Sequence, residues 1–435
     1  MTHYVLIGTG VAAISALDAI RSVDGKGEIT VVGDDPHGYY SRPGLAYYLT
    51  NELDEALLFP YQKSDFNRLN AHFYRDHAIR ILPTERQVEL ESGARLPYDK
   101  LLLATGSQAI PLNVPGAKLS GVHKLDHLTD ARTLIARAKR GRPAIVTGGG
   151  ITALELTEGL AARGMKVHYV FRSDRYWPAV LDETESRIVE SLLTRENIQI
   201  HRKNEIVEIL GKNGRVTGAR LADGRVLSAD LVAYAIGIAP RIELAQQAGI
   251  VCDRGILVNE YMETNLDGIY AAGDVAQVFD PASGKYLLDS LWTPAREQGR
   301  AAGLNMAGFD TAYVKNVPFN VTRLAGLTVT IIGTVGISRG QGDLLAIARG
   351  DSETWRELPH AIIAQSGFEV NRLRLMVGQE HLLGAIVMGD QTLSIPLQNI
   401  ITRQLNITPI RASLLAPGAP LAEILTEFAS QNLYH

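Results

Sequence analysis

Cysteine is nearly absent from this chain of 435 residues, which contains only Cys252. No disulfide can therefore form within the chain, and a lone thiol is more often a small core residue than a nucleophile. The eleven histidines show no metal-ligand spacing apart from His123 and His127, a pair that lacks a third ligand and is interpreted as lying on the surface. The sequence therefore predicts neither a redox disulfide nor a metal site.

Long apolar runs and a strong charge of one sign are also missing. No stretch approaches the roughly eighteen apolar residues that span a bilayer, and no secretion signal precedes the first predicted strand at 3–7. The formal net charge is only −4, which does not indicate the basic surface of a nucleic-acid-binding protein. We therefore expect a cytoplasmic protein with no membrane span and no nucleic-acid partner.

What the sequence does contain is the same glycine-rich layout twice, in YVLIGTGVAA at 4–13 and in AIVTGGGITALE at 144–155. Each is an apolar run, then a G-x-G pair, then a small residue and a helix-forming segment. The first glycine permits a tight turn, the second lets a pyrophosphate approach the backbone, and the small residue allows the helix to pack on the strand. The helix N-terminus offers free N–H groups to phosphates. The residues concerned are Gly8, Gly10, Ala13, Gly148, Gly150 and Ala153.

The residues after the following strand differ between the two stretches. After the first, Asp35 lies 22 residues beyond the small residue of the turn, near the distance at which a carboxylate meets an adenosine ribose, with Asp34 as the alternative. After the second, Phe171 takes this place and is followed by Arg172 and Arg175. An arginine there can neutralise a 2′-phosphate, so the sequence favours NADPH over NADH. Solvated arginines that leave either cofactor possible are the alternative.

The order of predicted elements indicates more than one domain. Strands and helices alternate from residue 1 to about 310, which is the pattern of parallel βαβ units. The rest of the chain reads as strands first and helices afterwards, which is typical of a separate α+β domain. The predicted strands are LTVTIIG, LLAIARG, AIIAQS, RLRLMV and LLGAIVMGD, and the predicted helices are LSIPLQNIITRQ and PLAEILTEFASQ.

Several linked motifs carry a family resemblance. YDKLLLATGS at 98–107, LVAYAIGIAP at 231–240 and IYAAGDVA at 269–276 resemble the two-dinucleotide-binding-domain flavoproteins of the pyridine nucleotide-disulfide oxidoreductase superfamily. DDPHGYYSRPGLAYYL and LWTPAREQGRAAGLNMAG are most similar to its cysteine-independent branch. That branch includes rubredoxin reductases, ferredoxin reductases of dioxygenase systems and the flavin-binding portion of NAD(P)H nitrite reductases.

The resemblance implies an α/β fold with two Rossmann-like nucleotide-binding domains and a C-terminal α+β interface domain. It assigns an FAD-binding domain to residues 1–112 and 243–317, an NAD(P)-binding domain to 113–242 and the interface domain to 318–435. The interface domain normally packs against the nucleotide domains or a second subunit. A homodimer, or a place as a subunit of a redox complex, is therefore expected.

The resemblance also implies which residues bind FAD and NAD(P)H. It places the AMP half of FAD at the first glycine turn, and it aims the start of a late helix at the flavin, where the helix dipole would stabilise the negative charge of reduced flavin. The implied FAD residues are Gly8, Gly10, Ala13, Asp35, Arg42, Pro43, Thr105, Gly106, Gly273, Asp274, Trp292 and Thr293. The NAD(P)H residues are Gly148, Gly150, Ala153, Arg172 and Arg175.

Glu155 matches the family's glutamate beside the nicotinamide, although the dipole alone favours a glutamate near a helix start. The family usually pairs this glutamate with a lysine, and Tyr47 stands at that position here. Without the lysine we expect Glu155 to be protonated or linked to solvent, and the flavin potential to differ from the family's.

Hydride transfer from nicotinamide C4 to flavin N5 needs stacking and alignment rather than a protein nucleophile. The single cysteine argues against the disulfide reductases and the cysteine-based oxidases of the superfamily. We therefore expect the electrons to leave the flavin directly for a rubredoxin-like or ferredoxin-like carrier protein. The alternatives are an NAD(P)H oxidase, a reductase of a small acceptor such as a quinone, and a flavoprotein subunit with a binding or regulatory role.

A basic segment at 131–143 is a candidate docking surface for an acidic carrier. A solvated helix between domains is the alternative interpretation. The charged residues of the segment are Arg132, Arg137, Lys139, Arg140 and Arg142.

Overall fold

The structure is a computed structural model that describes residues 1–281, 283–336, 349, 362–368 and 371–433. Its first part alternates strands and helices, as predicted, and adds a small antiparallel sheet of β4, β5 and β6. The elements are β1 (His3–Ile7), α1 (Val11–Val23), β2 (Glu28–Val32), α2 (Gly44–Thr50), α3 (Lys63–Arg68), β3 (His72–Tyr74), β4 (Ala78–Leu82), β5 (Gln87–Leu90), β6 (Arg95–Pro97), β7 (Lys100–Leu103) and β8 (Ser107–Ala109).

The second part contains a parallel sheet of its own. Its elements are β9 (Val122–Lys124), α4 (Leu128–Arg137), β10 (Pro143–Thr147), α5 (Ile151–Ala162), β11 (Lys166–Val170), α6 (Glu183–Arg195), β12 (Gln199–His201), β13 (Ile206–Lys212), β14 (Arg215–Leu221), β15 (Val226–Ser228), β16 (Leu231–Tyr234) and β17 (Ile238–Pro240). The five strands are ordered β12-β11-β10-β16-β9 and run parallel. The central strand β10 is a continuous apolar run because helices and a second sheet cover both of its faces.

The chain then returns to the first sheet. The returning elements are α7 (Glu243–Gln247), β18 (Ile256–Val258), β19 (Ile269–Ala271), β20 (Ala276–Asp280), β21 (Lys285–Leu287) and α8 (Trp292–Met306). Strand β19 pairs with β7, which completes a parallel sheet in the order β19-β7-β1-β2-β3. Helix α8 packs closely on α1: a Cβ added at Gly299 would lie 2.1 Å from the carbonyl oxygen of Ala12. The glycines of α8 therefore let the two helices approach until their backbones touch.

The last part is an antiparallel sheet followed by helices, as the order of elements predicted. It contains β22 (Phe319–Leu324), β23 (Leu327–Gly333), β24 (Ile362–Phe368), β25 (Asn371–Val377), β26 (Leu382–Met388), α9 (Ser394–Thr402), α10 (Thr408–Leu414) and α11 (Leu421–Leu433). The sheet order is β22-β23-β26-β25-β24.

Four of the five strands predicted in this region are present, together with both helices. The predicted strand LLAIARG lies outside the described residues apart from Arg349. The sequence reading missed β22, a mostly half-buried edge strand, and the seven-residue helix α10, because neither shows a clear hydrophobic period.

Two parallel α/β sheets and one antiparallel sheet with helices confirm the predicted fold class. The exact domain boundaries stay a prediction. Within the described ranges, no helix is long and apolar enough to cross a membrane. The cytoplasmic location also stays a prediction.

Candidate cofactor sites

A cleft of about 600 Å³ opens at the carboxyl ends of β1, β2 and β7, within the size range of small-molecule sites. The carboxyl edge of a parallel sheet is where doubly wound folds bind their ligands. The cleft walls come from six separate stretches of the chain. They are residues 7–12, 32–35, 76–79, 104–108 and 272–274 and, from the sixth stretch, Arg241, Glu243, Leu244 and Gln247, with Arg42, His127 and Ala295.

The first glycine turn forms one wall of this cleft. Gly8 has φ +120°, and a Cβ added there would lie 2.2 Å from the carbonyl oxygen of Ala104, so only glycine fits. A Cβ added at Gly10 would meet nothing within 4 Å. Helix α1 begins at the next residue, and no side chain caps its N-terminus. Open space in front of an uncapped helix start fits a pyrophosphate.

The two acids that follow β2 differ in their exposure to solvent. Asp34 has a side chain that is 62% exposed, and its carboxylate lies 3.1 Å from Nδ1 of His77. Asp35 is only 9% exposed. Its Oδ1 accepts a hydrogen bond of 2.9 Å from the N–H of His37, whereas its buried Oδ2 accepts none from the residues that the structure describes. A buried acceptor without a donor, on the wall of the cleft, fits the hydroxyls of a ribose.

The charge state of Asp35 suits this role. Burial acts to raise the pKa of its carboxyl, but His127, the N–H of His37 and the charge of Arg42 outweigh burial and leave the pKa lowered. Nδ1 of His127 lies 3.5 Å from Oδ2 of Asp35. The carboxylate is therefore ionised at neutral pH and accepts hydrogen bonds only.

The interpretation of His123 and His127 as surface residues is wrong. His127 lines the cleft, with Nε2 3.5 Å from Asp126 and 3.5 Å from the guanidinium of Arg241. Nε2 of His123 is buried, and burial lowers the pKa of that imidazole. His123 lies on β9, and His127 immediately precedes α4. The spacing of the two histidines in the sequence could not show that their side chains are partly buried. No group of three metal-ligating side chains occurs among the residues that the structure describes.

Asp126, next to His127 of the cleft wall, is a buried carboxylate that the sequence reading missed. Its side chain is fully buried, 3.2 Å from Nζ of Lys124 and 3.8 Å from Arg42. Arg349 also forms an ion pair with it and donates to its backbone oxygen at 3.2 Å. Burial acts to raise the pKa of Asp126, but Arg349, His127 and Lys124 hold it well below its usual range. No local motif marks this cluster, because Arg42 and Arg349 come from parts of the chain distant from Asp126.

The structure brings most of the remaining predicted FAD residues to the cleft, where Arg42, Thr105, Gly106, Gly273 and Asp274 are all wall residues. Oγ of Ser107 donates to Asp274 at 2.7 Å. The N–H of Gly273 donates to Gln298 of α8 at 2.9 Å. These two bonds join the returning chain to the wall of the cleft.

The predicted residues at the rim of this region are exposed. Pro43 precedes α2, and the side chains of Trp292 and Thr293 at the start of α8 are accessible to solvent. The guanidinium of Arg296 stands 5.6 Å from the centre of the Trp292 ring. Ala295 of the same helix lines the cleft.

The second glycine turn repeats the geometry of the first. Gly148 has φ +143°, and a Cβ added there would lie 2.1 Å from the carbonyl oxygen of Ala235 and 2.8 Å from Cβ of Ala153. Helix α5 begins after Gly150 with no side-chain cap. The backbone therefore offers the same uncapped helix start to a second phosphate group.

Beyond this turn, the three residues of interest differ in exposure. Phe171 is buried. Arg172 is 75% exposed, with Nε 4.0 Å from a carboxylate oxygen of Glu205. Arg175 is 14% exposed and pairs with Asp174 at 3.2 Å, while its buried Nε has no acceptor within the described ranges. Two guanidinium groups at the strand end, one of them with an unused donor, fit an anionic group.

Helix α5 also carries Glu155 and, one turn later, Glu158. Burial raises the pKa of Glu155 to about 7, and the charge of Glu158 adds to the shift while Arg349 opposes it. Burial likewise raises the pKa of Glu158 to about 7, although the N–H of Gly326 donates to it at 2.9 Å. Tyr47 is exposed, and no hydrogen bond joins it to Glu155 in the described part of the chain. The carboxyl pair is thus half protonated near neutral pH.

Two of the five basic side chains in the segment 131–143 form ion pairs with acidic residues of this chain. Arg132 forms an ion pair with Glu55, with Nε 3.0 Å from the carboxylate, and Arg142 pairs with Asp230. Arg137, Lys139 and Arg140 are exposed. The docking role therefore stays a prediction that rests on three charges rather than five.

Comparison with known proteins agrees with this geometry. A family model described as pyridine nucleotide-disulphide oxidoreductase matches residues 2–299. The NADH-dependent phenylglyoxylate dehydrogenase subunit epsilon of Aromatoleum evansii is 30% identical over 434 residues, which cover 98% of each chain. The biphenyl dioxygenase system ferredoxin–NAD(+) reductase component of Paraburkholderia xenovorans is 31% identical over 379 residues, which cover 86% of this chain and 87% of the relative. The chain spans about half the length of two other curated relatives, both from Bacillus subtilis.

Among solved structures, a ferredoxin reductase for the CYP199A2 system from Rhodopseudomonas palustris has a TM-score of 0.86 to this chain. The match covers 99% of this chain and 100% of the other at 24% identity. At that identity the likeness shows the fold alone, and it agrees with the fold class predicted from the sequence.

Proposed function

The chain belongs to the pyridine nucleotide-disulphide oxidoreductase family, and from this premise we propose that it is an FAD-dependent NAD(P)H oxidoreductase that passes electrons directly to a carrier protein. The observation that carries the proposal is the pair of glycine turns, each with an uncapped helix start. Two dinucleotide sites in one chain need two dinucleotides, one to deliver a hydride and one to accept it.

The residues of the first cleft fit FAD. The space beside Gly10 admits the pyrophosphate, the free oxygen of Asp35 accepts a ribose hydroxyl, and Asp274 faces the cleft with one oxygen held by Ser107. Bound FAD supplies the chemistry of accepting a hydride and releasing its electrons one at a time. Arg42 and Arg241 also line this cleft, and their positive charges would stabilise a cofactor that carries two phosphates.

The second turn would hold the nicotinamide cofactor, and its arginines favour NADPH. Phe171 stands where an acid would otherwise bind the ribose hydroxyls of NAD, and Arg172 and Arg175 follow it. The names of two relatives specify NADH and NAD(+), so the preference for NADPH rests on these two arginines alone. Glu155 would orient the carboxamide of the nicotinamide, and its half-protonated state lets it accept or donate a hydrogen bond there.

A carrier protein is the acceptor that we propose. The chain has one cysteine, so no disulfide can relay electrons within it. Cys252 is half-buried, and burial raises the pKa of its thiol, which disfavours the reactive thiolate. A relative named as a ferredoxin–NAD(+) reductase component supports a one-electron carrier of the ferredoxin or rubredoxin kind.

Stepwise reduction tests the function. The purified protein, loaded with FAD, is mixed anaerobically with NADPH or NADH while the flavin absorbance is followed. It is then offered ferredoxin, rubredoxin, a quinone or oxygen. We expect rapid bleaching and carrier reduction at least about tenfold faster than oxygen consumption. Protein that stays colourless when FAD is supplied would contradict the cofactor assignment, and rapid peroxide formation would indicate an oxidase.

A second candidate is a flavoprotein subunit of a larger redox complex. The relative named as a dehydrogenase subunit matches over 98% of its own length and of this chain, so nothing beyond this fold is needed for such a role. Mass measurement of the native assembly from its source cells decides between the two. A stoichiometric second protein would favour the subunit, whereas a homodimer with full carrier activity would favour the independent reductase.

A further inference from the structure

The segment between β11 and α6, residues 171–182, contains Phe171, Arg172 and Arg175 and is called the nucleotide loop below. Hydrogen bonds to helix α6 fix the middle of this loop. The N–H of Tyr176 donates to Glu190 at 2.7 Å, and Oγ of Ser186 donates to the oxygen of Tyr176 at 2.7 Å. The nucleotide loop is therefore packed against neighbouring elements. Its conformation depends on the contacts that each part of it makes with them.

The far end of the nucleotide loop is held by a strand of the C-terminal sheet. Arg374 of β25 is 1% exposed. Its Nη2 donates to the carbonyl oxygen of Val180 at 2.6 Å, its Nε to Glu185 at 2.8 Å and its Nη1 to Val335 at 3.2 Å. One planar guanidinium thus joins the loop, helix α6 and the antiparallel sheet, and the fork geometry fixes all three directions together.

A second arginine on the same face of β25 reinforces this contact. Arg372 donates to the carboxylate of Asp182 at 2.7 Å. Asp182 is the N-cap of α6, and it exchanges hydrogen bonds of 2.8 Å with Glu185 in a capping box. The carboxylates of Asp182 and Glu185 at the start of α6 therefore also accept hydrogen bonds from Arg372 and Arg374. Burial raises the pKa of Glu185, although Arg374 opposes the shift.

We propose that Arg374 is a positioning residue for NAD(P)H. By holding Val180 it sets the end of the nucleotide loop, and so the place at which Arg172 and Arg175 meet the nucleotide. The inference rests on the proposed function, because it takes the loop to be the part that binds NAD(P)H.

The test compares Arg374→Met with Arg411→Met. Arg411 donates to the oxygen of Gly378 at 2.9 Å, within the C-terminal region, so its loss removes a similar bond without reaching the loop. For Arg374→Met we expect the KM for NADPH and the dissociation constant of NADP+ to rise about tenfold. A change of this size corresponds to the free energy of one lost charge-assisted hydrogen bond. The kcat at saturating nucleotide and the FAD content stay within about twofold of the original values. Arg411→Met leaves both nucleotide constants unchanged.

A second variant separates positioning from folding. Arg374→Met leaves the buried Glu185 with only Arg372, whose Nε lies 3.7 Å away, as its cation, which lowers Tm. The double variant Arg374→Met/Glu185→Gln removes both charges and keeps the capping box, because glutamine can serve at that place. We expect the double variant to recover Tm but to keep the raised KM, and Arg374→Lys to fall between, because lysine lacks the fork.

The outcomes separate the two proposals. If the original protein binds neither NADP+ nor NAD+ by intrinsic fluorescence titration, the proposed function fails. If it binds them and the double variant binds equally tightly, the function stands and the role of Arg374 is overturned. A KM that follows Tm through every variant would also overturn it, because the arginine would then contribute to stability alone.

Discussion

The two glycine turns have a similar backbone geometry. They differ in the residues at the end of the strand that follows each turn. A Cβ at Gly8 or at Gly148 would lie 2.2 or 2.1 Å from a carbonyl oxygen, and neither following helix has a side-chain cap. After β2, however, the chain places the buried carboxylate of Asp35, and after β11 it places buried Phe171 with exposed Arg172. We therefore propose that the turn serves as a phosphate site for any dinucleotide, whereas the strand end selects which dinucleotide binds.

The two turns also differ in what surrounds them. The first faces a cleft whose charged walls come from distant segments, among them His127 and Arg241. The second depends on its neighbour in the fold, because β25 of the C-terminal sheet holds the nucleotide loop through Arg374. Two similar backbone turns are thus surrounded by different parts of the molecule.

The largest expected effect compares Gly8→Ala with Gly10→Ala. At Gly8 the positive φ and the contact with Ala104 make alanine incompatible, so we expect a loss on the order of 3 kcal/mol or more in the free energy of unfolding. At Gly10 the new methyl group enters open space, so the protein folds but binds FAD at least about tenfold more weakly. Urea unfolding and flavin titration measure the two effects.

Gly93→Ala is the control for strain without a clash. Gly93 has φ +87°, and a Cβ there meets nothing within 4 Å, so we expect a cost of about 1 kcal/mol. Gly148→Ala should match Gly8→Ala if the two turns are equivalent. A stable Gly148→Ala protein would show that they are not.

The next effect tests the acid of the first site. Asp35→Asn replaces the buried acceptor with a group that is a weaker acceptor, so we expect the dissociation constant of FAD to rise about 10- to 100-fold. Asp34→Asn alters the exposed neighbour that pairs with His77, and FAD affinity should stay within about twofold. Equal weakening by both variants would contradict the assignment of the ribose contact to Asp35.

A smaller effect is expected at the second strand end. Arg172→Glu places a negative charge where the 2′-phosphate would bind, so the KM for NADPH should rise about tenfold while the KM for NADH changes by less than about threefold. Steady-state reduction of ferricyanide with each nucleotide measures both constants. The same change in both would remove the preference for NADPH.

The smallest effect concerns pH. The pKa values of Glu155 and Glu158 are about 7 in the folded protein against 4.5 ordinarily, so the folded state binds more protons than the unfolded state between these values. Their contribution to stability is present below pH 4.5 and is lost as the pH rises through 7. Glu158→Gln removes one of these groups, so unfolding free energy should decline less steeply between pH 5 and pH 8.

The exposed Glu196 supplies the control for this measurement. Glu196→Gln removes a carboxyl at the end of α6 and should leave the pH dependence unchanged. A Glu158→Gln protein whose pH dependence equals that of the original chain would indicate that the Glu158 carboxyl is ordinary in the folded state.

The sequence predicted those features that depend on consecutive residues. Gly8, Gly148 and Ala153 were identified because a positive φ and the close packing of helix on strand restrict which residue can stand there. The order of strands and helices likewise revealed the three-part architecture. A local steric demand marks the residue that meets it, so such features can be read without a structure.

The tertiary structure alone distinguishes Asp34 from Asp35, which have the same chemistry and adjacent positions but opposite exposure. It alone revealed that His127 lines the cleft, and that Arg374 reaches Glu185 across 189 positions of sequence. Such contacts place no demand on neighbouring residues, because a buried charge needs only a partner in space. The family and its two nucleotide turns were thus determined by the chain itself, and the charged surroundings of each turn by how the chain folds.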